Sequence, residues 1–376
     1  MSQHLSPNQR AFRRLLKNRP AVAGAFVIMF AVFIALFAPL LAPDHTPNAD
    51  EQIAEINTAP PGFEATFLRL PKDHAPPQSS LFMSIWRGRE NPYKLQPITA
   101  YRIENDHLII QKYTGHTTPP QPDTLLLSKV TGVQTAGMGK QISLIEKKHI
   151  TKRRFLLGTD KQGRDNLSRL LLGVRISLSV GIMAVLISLS IGIVLGAAAG
   201  YFGGHIDRIL MTIVSLFWAI PLLLLVFALV LVMGQRFEQI YLAIGLTMWV
   251  EVARLVRGQV MSLRGREFIE AAQSLGLGHA RIIRVHILPN IMGPVMVIAA
   301  SDFASAIIIE AGLSFLGIGV QPPTPSWGTM LNEYYGYIGT SKAFLAIIPG
   351  IAICILVLAF NLLGNGLRDA LDVKLR

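Results

Sequence analysis

The chain has 376 residues, of which 51% are hydrophobic and only 15% charged, and its mean hydropathy is +0.44. A soluble domain carries about 25% charged residues, so this composition favours a chain that folds in a lipid bilayer. The formal net charge of +12 could suggest a nucleic-acid partner, but the basic residues are not gathered into a stripe with interleaved aromatic side chains, so nucleic-acid binding is not expected.

The first apolar run, residues 21–42, is long enough to cross a membrane, which takes about 20 apolar residues in a helix. A signal peptide has a shorter apolar core of about 7–15 residues, so we expect this run to be retained as the first membrane span. Residues 1–20 form a tail that is rich in arginine and lysine. Because basic residues mark the cytoplasmic side of a membrane, the tail is predicted to be cytoplasmic.

A polar insert, residues 43–156, separates the first two spans and is predicted to be extracytoplasmic. Its proline pairs argue against long helices. The runs 98–103 and 108–113 flank the turn-like sequence Glu104-Asn105-Asp106, a pattern that predicts a β-hairpin. We therefore expect a small domain that contains β-structure, with a partly disordered loop as the alternative.

Five further apolar runs predict the remaining spans at residues 176–200, 209–234, 239–256, 293–317 and 343–364. In the second span, Gly192, Gly196 and Gly200 recur every fourth residue, which predicts close packing against another helix. Pro221 removes a helical hydrogen bond in the third span and predicts a kink. The predicted fold is an all-α polytopic membrane protein with six transmembrane helices, both termini cytoplasmic, and the insert between helices 1 and 2.

A short helix is predicted in the polar connection at about residues 257–290. Glu267 and Glu270 lie near its start, where the helix dipole favours negative charge. Ala271 and Ala272 have high helix propensity and small side chains. Gly276 can adopt the left-handed conformation that ends a helix. Such a helix is suited to docking into a soluble partner, while an ordinary amphipathic cytoplasmic helix is the alternative.

The same segment carries a resemblance to a known family. Glu270-Ala271-Ala272, followed by Gly276 and then by Ile287-Leu288-Pro289, resembles the EAA signature of binding-protein-dependent ABC permeases. One common form of that signature has isoleucine where this chain has His286, but the anchor positions, including Leu288 and Pro289, remain. The resemblance implies that Glu267, Glu270, Ala271, Ala272, Gly276, Leu288 and Pro289 couple the chain to an ATPase.

Further segments between residue 157 and the C-terminus resemble the dipeptide/oligopeptide permease family, in its C-type (DppC or OppC type) subunit. These segments include Leu157-Gly158-Thr159-Asp160, Gly163-Arg164-Asp165, Gly200-Tyr201-Phe202-Gly203-Gly204 and Gln321-Pro322-Pro323-Thr324-Pro325-Ser326-Trp327-Gly328. The resemblance implies an ABC permease core at residues 157–376, in the inner (plasma) membrane of a bacterium. The insert is longer than we expect of that subunit.

The resemblance also implies partners and cargo. The partners are a second permease subunit in a heterodimer, two ABC ATPase subunits and an extracytoplasmic substrate-binding protein. The cargo is a dipeptide or oligopeptide, with nickel, glutathione or another peptide-like solute as the alternative. ATP hydrolysis is expected in the partner subunits, because this sequence contains no phosphate-binding loop, zinc-protease helix or nucleophile elbow. No cofactor or metal is expected.

Asp302 and Glu310 are ionisable residues within the fifth predicted span, where such groups are costly and often functional. They are candidates for the translocation path, and pairing with a partner subunit is the alternative. A rival hypothesis from another class is a proton-coupled secondary carrier that uses both carboxylates as a relay.

Four residues outside the spans are candidates for the outer mouth of the path: Asp160, Arg164, Asp165 and Trp327. The alternative for the first three is a local charge-paired turn. The alternative for Trp327 is an aromatic anchor at the membrane interface.

Overall fold

The computed structural model of the chain describes residues 7–72, 88–115, 119–131 and 138–371. Two helices come first, α1 (Pro7–Lys17) and α2 (Arg19–Leu41). The insert contributes strands β1 (Phe63–Pro71), β2 (Tyr93–Glu104), β3 (His107–Lys112), β4 (Gln121–Leu126) and β5 (Ile150–Phe155), with the short helices α3 (Leu127–Thr131) and α4 (Met138–Leu144) between the last two strands.

The remaining chain is helical. Its helices are α5 (Asn166–Phe202), α6 (Gly204–Trp218), α7 (Leu222–Met233), α8 (Phe237–Arg264), α9 (Glu267–Ser274), α10 (His279–Phe315, with a π-helical turn at Ile282–Ile287), α11 (Trp327–Tyr334) and α12 (Phe344–Leu371). Within the described ranges, five of these helices (α2, α5, α8, α10 and α12) are long and apolar enough to cross a membrane. Most of their ends lie beyond the predicted apolar runs, because a helix can continue into the polar region on either side of the bilayer.

The third predicted span is a bent pair rather than one kinked helix. Helices α6 and α7 meet at an angle of 89°. Pro221 is the N-cap residue of α7, and since it lacks an N–H group it cannot continue the hydrogen bonds of α6. The kink predicted at Pro221 is therefore a complete break.

The bent pair nevertheless follows the length of its neighbour α8. In the first arm, Val214 packs in one cluster with Trp249 and Ala253 of α8. In the second arm, Val226 packs in another cluster with Ile240, which lies near the start of α8. Taken together, the two arms are long and apolar enough for one broken span, which gives six candidate spans in the described residues if the pair is counted as one.

The glycine stripe of α5 packs against α8, as predicted. A Cβ atom built on Gly192 would lie 2.5 Å from Cβ of Val252, and one built on Gly196 would lie 2.5 Å from the carbonyl oxygen of Ala253. A Cβ atom on Gly200 would lie 2.7 Å from the carbonyl oxygen of Arg257. Because no real side chain fits at these distances, the glycines permit the two backbones to approach closely.

The described part of the insert contains a five-stranded antiparallel sheet with the order β4-β3-β2-β1-β5. The predicted hairpin is confirmed, because β2 and β3 pair with Glu104 opposite His107. Asn105 in the turn has φ +48°, a left-handed conformation that asparagine tolerates. One face of the sheet packs on α3 through buried side chains that include Leu68, Leu108 and Leu127.

The insert is attached to the helical core through its base. The hydroxyl of Thr159 accepts a hydrogen bond from the backbone N–H of Ala59 at 2.9 Å. Lys342, just before α12, donates to the hydroxyl of Thr58 at 2.6 Å. The sheet therefore lies at the same end of the helices as α11, opposite the end that carries α9.

Candidate functional site

The predicted short helix forms as α9, Glu267–Ser274, with Glu267 and Glu270 in its first turn. Gly276 follows the helix with φ +73°. Its N–H group donates to the carbonyl of Gln273 at 2.9 Å, and the N–H group of Leu277 donates to that of Ala272 at 3.2 Å. These two bonds form a Schellman motif, which requires the left-handed conformation that glycine adopts without strain.

Helix α9 has one buried face and one exposed face. Ile269 is fully buried, and Ala272 is 4% exposed. On the other face, Phe268 and Ala271 are exposed, and the adjoining Leu275 is 81% exposed. An apolar tip on an otherwise polar segment indicates a surface that contacts another protein.

The buried face of α9 contacts two long helices at once. Ile269 and Ala272 belong to one apolar cluster with Val256 and Val260 of α8 and with Ile291 of α10. Any rigid displacement of α9 is therefore passed to both helices, because a packed core resists compression.

Leu288 and Pro289 begin the regular α-helical part of α10, directly after its π-helical turn. Leu288 packs against the cluster beneath α9, and Pro289 is exposed. Leu288 thus lies next to α9, although it follows Gly276 by 12 positions in the sequence.

A cavity of about 410 Å³ lies beside α9, lined by residues that include Asp207, Arg264, Glu270 and Gln273. Asp207 accepts two hydrogen bonds from the guanidinium group of Arg257, at 2.5 and 2.6 Å. This ion pair ties the start of α6 to α8. Within the described residues, no group of three or more His, Cys, Asp or Glu side chains is placed to hold a metal ion.

Asp302 lies at the break between α6 and α7. It is 3% exposed, accepts a long hydrogen bond of 3.5 Å from Ser188, and lines a cavity of about 220 Å³ with Trp218 and Pro221. Glu251 of α8 lines the same cavity. The sequence does not link Glu251 to Asp302, because nothing in the local sequence indicates that α8 and α10 meet at this break.

Glu310 has different surroundings from Asp302. It is fully buried and accepts hydrogen bonds from the hydroxyls of Ser314 at 2.8 Å and Ser177 at 3.5 Å. The hydroxyl of Ser314 in turn accepts a hydrogen bond from the N–H group of Val320 at 3.1 Å. Glu310 thus connects α5 to the loop that leads into α11.

The outer candidates Asp160 and Arg164 belong to a buried ionic network. Asp160 accepts hydrogen bonds from Arg164 Nε at 2.5 Å, Arg169 Nη1 at 2.8 Å and the hydroxyl of Tyr334 at 3.0 Å. Glu333 contacts both guanidinium groups at 3.0 Å. The network joins the segment before α5 to the end of α11, so it is more than a local charge-paired turn.

Burial alone would raise the pKa of Asp160, but the guanidinium groups of Arg169 and Arg164 outweigh this effect and hold the pKa below its ordinary value. The same balance lowers the pKa of Glu333, where burial is opposed chiefly by Arg169. Both carboxylates are therefore charged at neutral pH and compensate the two arginines.

Replacing Asp160 with asparagine is expected to destabilise the folded chain by about 3–5 kcal/mol, because two buried guanidinium groups would then share one carboxylate. The pKa of Asp160 is lower in the folded chain than in the unfolded one, so its stabilising contribution is present above pH 4 or so and is lost as the pH falls further. Thermal unfolding of the detergent-solubilised chain should therefore be more acid-sensitive in the wild type than in the variant.

A matched control is Glu104→Gln, which removes an ion pair with Arg102 whose side chains are 53% and 77% exposed. That change should cost less than about 1 kcal/mol. Equal unfolding temperatures for Asp160→Asn and the wild type would contradict a stabilising role for the network.

Asp165 and Trp327 have structural contacts of their own. Asp165 is the N-cap of α5 and accepts hydrogen bonds from the N–H group of Ser168 at 2.9 Å and from its hydroxyl. Trp327, the candidate for the outer mouth whose alternative is an interfacial anchor, is only 3% exposed. Its indole N–H donates to the carbonyl of Leu170 at 3.0 Å, and its ring fills the space beside Gly173. The absence of a side chain at Gly173 lets the indole bury itself.

Comparison with known proteins places two family models on this chain. Residues 192–376 match the model described as binding-protein-dependent transport system inner membrane component. Residues 6–61 match the model of the N-terminal TM domain of oligopeptide transport permease C. The two matched ranges flank residues 62–191, which contain the sheet.

Curated relatives match more than half of the chain. The dipeptide transport system permease protein DppC of Bacillus subtilis (strain 168) is 44% identical over 219 residues, which are 58% of this chain and 68% of the relative. The di/tripeptide transport system permease protein DppC of Pseudomonas aeruginosa (strain UCBPP-PA14) is 45% identical, over 59% of this chain and 73% of its own length.

The chain is also similar to two proteins whose names do not refer to dipeptide or oligopeptide transport. The glutathione transport system permease protein GsiD of Pectobacterium atrosepticum is 45% identical, over 58% of this chain and 73% of the relative. Among solved structures, a chain of the inward-facing MetNI methionine ABC transporter aligns with 54% of this chain and 97% of its own, with a TM-score of 0.45 and 20% identity.

Proposed function

This chain belongs to the binding-protein-dependent inner membrane permeases of the dipeptide and oligopeptide type, and from that premise we propose that it forms half of the translocation pathway of an ATP-driven peptide importer. Its partners would be a second permease subunit, two ABC ATPase subunits and an extracytoplasmic substrate-binding protein. ATP hydrolysis would take place in the ATPase subunits. Glutathione or another peptide-like solute is the alternative cargo, since a relative named for glutathione transport has about the same sequence identity to this chain as the relatives named for dipeptide transport.

The observation that carries this proposal is the geometry of α9. The helix is held to α8 and α10 through Ile269 and Ala272, while Phe268, Ala271 and Leu275 remain exposed. We propose that the exposed tip seats in a groove of an ATPase subunit, with Glu267 and Glu270 on the solvent side of the contact. The N-terminal tail, α9 and the C-terminus would then be cytoplasmic, and the insert would be extracytoplasmic.

In this mechanism the closure of the two ATPase subunits displaces α9 as a rigid body. The displacement reaches α8 and α10, which the apolar cluster joins to α9. The permease exchanges between outward-open and inward-open states because the ATPase subunits bind the two states with different affinities. Gly276, Leu288 and Pro289 contribute by fixing where α9 ends and where α10 begins.

Asp302 is the residue that we propose for the translocation path. It lines a cavity at the break between α6 and α7 together with Glu251, and a break in a membrane helix is tolerated where it borders a cavity or another protein chain. The exposed apolar side chains of α7, such as Leu224 and Val232, would face the second permease subunit. Glu310 is enclosed by hydroxyls and would hold the outer loop in place, with a direct role in the path as its second possibility.

At the outer end, the network of Asp160 and Arg164 holds α11 against the start of α5. We propose that it shapes the outer mouth from beneath the surface, with Asp165 capping α5 and Trp327 anchoring α11. The insert lies at this end of the helices, where it would meet the substrate-binding protein.

The source of energy distinguishes this proposal from a proton-coupled carrier. The complete complex would be reconstituted into vesicles and tested with radiolabelled dialanine, trialanine and glutathione. Uptake is expected to require ATP and to persist when an uncoupler collapses the proton gradient. Uptake that an uncoupler abolishes and that continues without ATP would refute the proposal.

The same vesicles test Asp302. In the proposed importer, Asp302→Asn removes a charge from the path and is expected to lower uptake by about tenfold, equivalent to about 1.4 kcal/mol, without changing the need for ATP. A proton carrier would instead lose all coupled uptake, because its relay needs a group that titrates.

A further inference from the structure

The turn between α9 and α10 has little support of its own. It contains Gly276 and Gly278, and a Cβ atom built on either glycine would have no atom within 4 Å. Gly276 also has φ +73°. We call the turn at Gly276–Gly278 the joint; because glycine restricts the backbone least, the joint itself adds little to the apolar contacts that hold α9 to α10.

A side chain from a third helix spans this joint. Tyr201, in the last turn of α5, is 3% exposed. Its hydroxyl shares a hydrogen bond of 2.9 Å with Nδ1 of His279, the first residue of α10. It also accepts a hydrogen bond of 3.5 Å from Nε2 of Gln273, in the last turn of α9. One phenol thus contacts the residues on both sides of the two glycines.

Aromatic packing holds the same group in place. The rings of Tyr201 and His279 are 5.5 Å apart between centroids, in an edge-to-face arrangement. Phe202 packs edge-to-face on both rings, with centroid distances of 5.2 and 5.8 Å. Such pairs favour one relative orientation of the rings, so the tyrosine hydroxyl is directed at the joint.

Helix α5 is itself bound closely to α8. The glycine stripe brings the two backbones together up to Gly200, the residue directly before Tyr201. Tyr201 also belongs to the apolar cluster under α9, with Val256 and Ile269. A displacement of α9 that passes through Tyr201 therefore reaches a third span as well as α8 and α10.

We infer that Tyr201 is a positioning residue for energy coupling, which fixes the joint after α9 to the end of the second span through its hydroxyl and His279. This inference rests on the proposed function, since it assigns to one residue the transfer of the motion of α9 to α5. Without the hydroxyl, the joint is less restrained and less of the motion of α9 reaches α5, so that ATP is hydrolysed with less transport.

The test is Tyr201→Phe in the complete reconstituted complex, with radiolabelled dialanine, trialanine and glutathione as probes. The variant keeps the ring and its packing but loses the hydroxyl. Uptake is expected to fall by about fivefold, the factor that the loss of one hydrogen bond produces, while the rate of ATP hydrolysis stays within about twofold of the wild type. The number of ATP molecules hydrolysed per solute transported should therefore rise.

Tyr335→Phe is the matched control. It makes the same chemical change on a residue that is 57% exposed and lies just after α11, at the other end of the molecule. It should leave both rates unchanged. A ratio of ATP hydrolysis to uptake that is the same in Tyr201→Phe and the wild type would overturn the inference.

Variants of His279 remove the other partner of the same hydrogen bond, and they test the inference if Tyr201→Phe does not assemble into the complex. Asparagine can place a hydrogen-bonding atom near the position of Nδ1, whereas alanine cannot. His279→Asn should therefore retain more coupling than His279→Ala, and equal ratios of ATP hydrolysis to uptake in the two variants would overturn the inference.

The proposed function is tested separately by Gly276→Asp. If that variant loses uptake and Tyr201→Phe does not, the docking of α9 stands and only the role of Tyr201 is refuted.

Discussion

Replacing Gly276 with aspartate is expected to lower solute uptake by at least about tenfold while the subunit still inserts into the membrane. Gly276 has φ +73° and closes α9 with a Schellman motif. A residue with a Cβ atom pays about 1–2 kcal/mol for a left-handed conformation, and a negative charge at a helix C-terminus adds an unfavourable interaction with the dipole. Both effects loosen the last turn of α9, from which Leu275 projects.

The measurement is ATP-dependent uptake by the reconstituted complex, together with the amount of the variant in the membrane fraction. Deleting residues 270–272 should abolish uptake while the subunit still inserts normally, because it removes more than a third of α9. Normal uptake by either variant would show that α9 is not the docking element.

Gly336→Asp is the control for this change. Gly336 lies in a 3₁₀ turn near the other end of the molecule, and a Cβ atom built on it would have no atom within 4 Å. The same substitution there adds the same charge without a change in a helix end. Uptake by this variant should match the wild type.

Replacing Gly196 with alanine is expected to destabilise the chain by about 1–3 kcal/mol, and leucine at this position should prevent the folded subunit from accumulating. A Cβ atom at Gly196 would lie 2.5 Å from the carbonyl oxygen of Ala253 and 2.9 Å from Cβ of Val256. The first of these is a backbone atom of α8, so the clash can be relieved only by moving the two helices apart.

Gly258→Ala provides the comparison, because Gly258 lies inside α8 and a Cβ atom there would have no atom within 4 Å. Alanine should stabilise that helix by up to about 1 kcal/mol through its higher helix propensity. The measurement is the unfolding temperature of each purified variant in detergent, which should be lower for Gly196→Ala than for Gly258→Ala. If Gly196→Ala is as stable as Gly258→Ala, close approach of α5 and α8 is not required.

Helix α9 could be predicted from the sequence because its determinants are local. Ten residues contain all of them: Glu267 and Glu270 in the first turn, Ala271 and Ala272 in the middle, and Gly276 after the last turn. Each of these residues affects only the turn or the helix end in which it lies. The glycine stripe was predictable for the same reason, since a spacing of four residues places its members on one face whatever they contact.

The outer network could not be predicted as a unit. Asp160 and Arg164 are near each other in the sequence, but their partners Glu333 and Tyr334 follow about 170 residues later, as the separations of 169 and 174 show. The contacts of Trp327 could not be predicted either, because its burial depends on Gly173 in another helix.

Hydropathy, turn residues and helix ends act over a few neighbouring residues, so the six apolar segments, the β-hairpin of the insert and the short helix before Gly276 follow from local sequence. Three features appear only once the helices are packed: the 89° angle between α6 and α7, the cavity there that Glu251 and Asp302 both line, and the hydrogen bond between Tyr201 and His279. These features depend on which helices pack together, because close packing requires helix surfaces of complementary shape and those surfaces are far apart in the sequence.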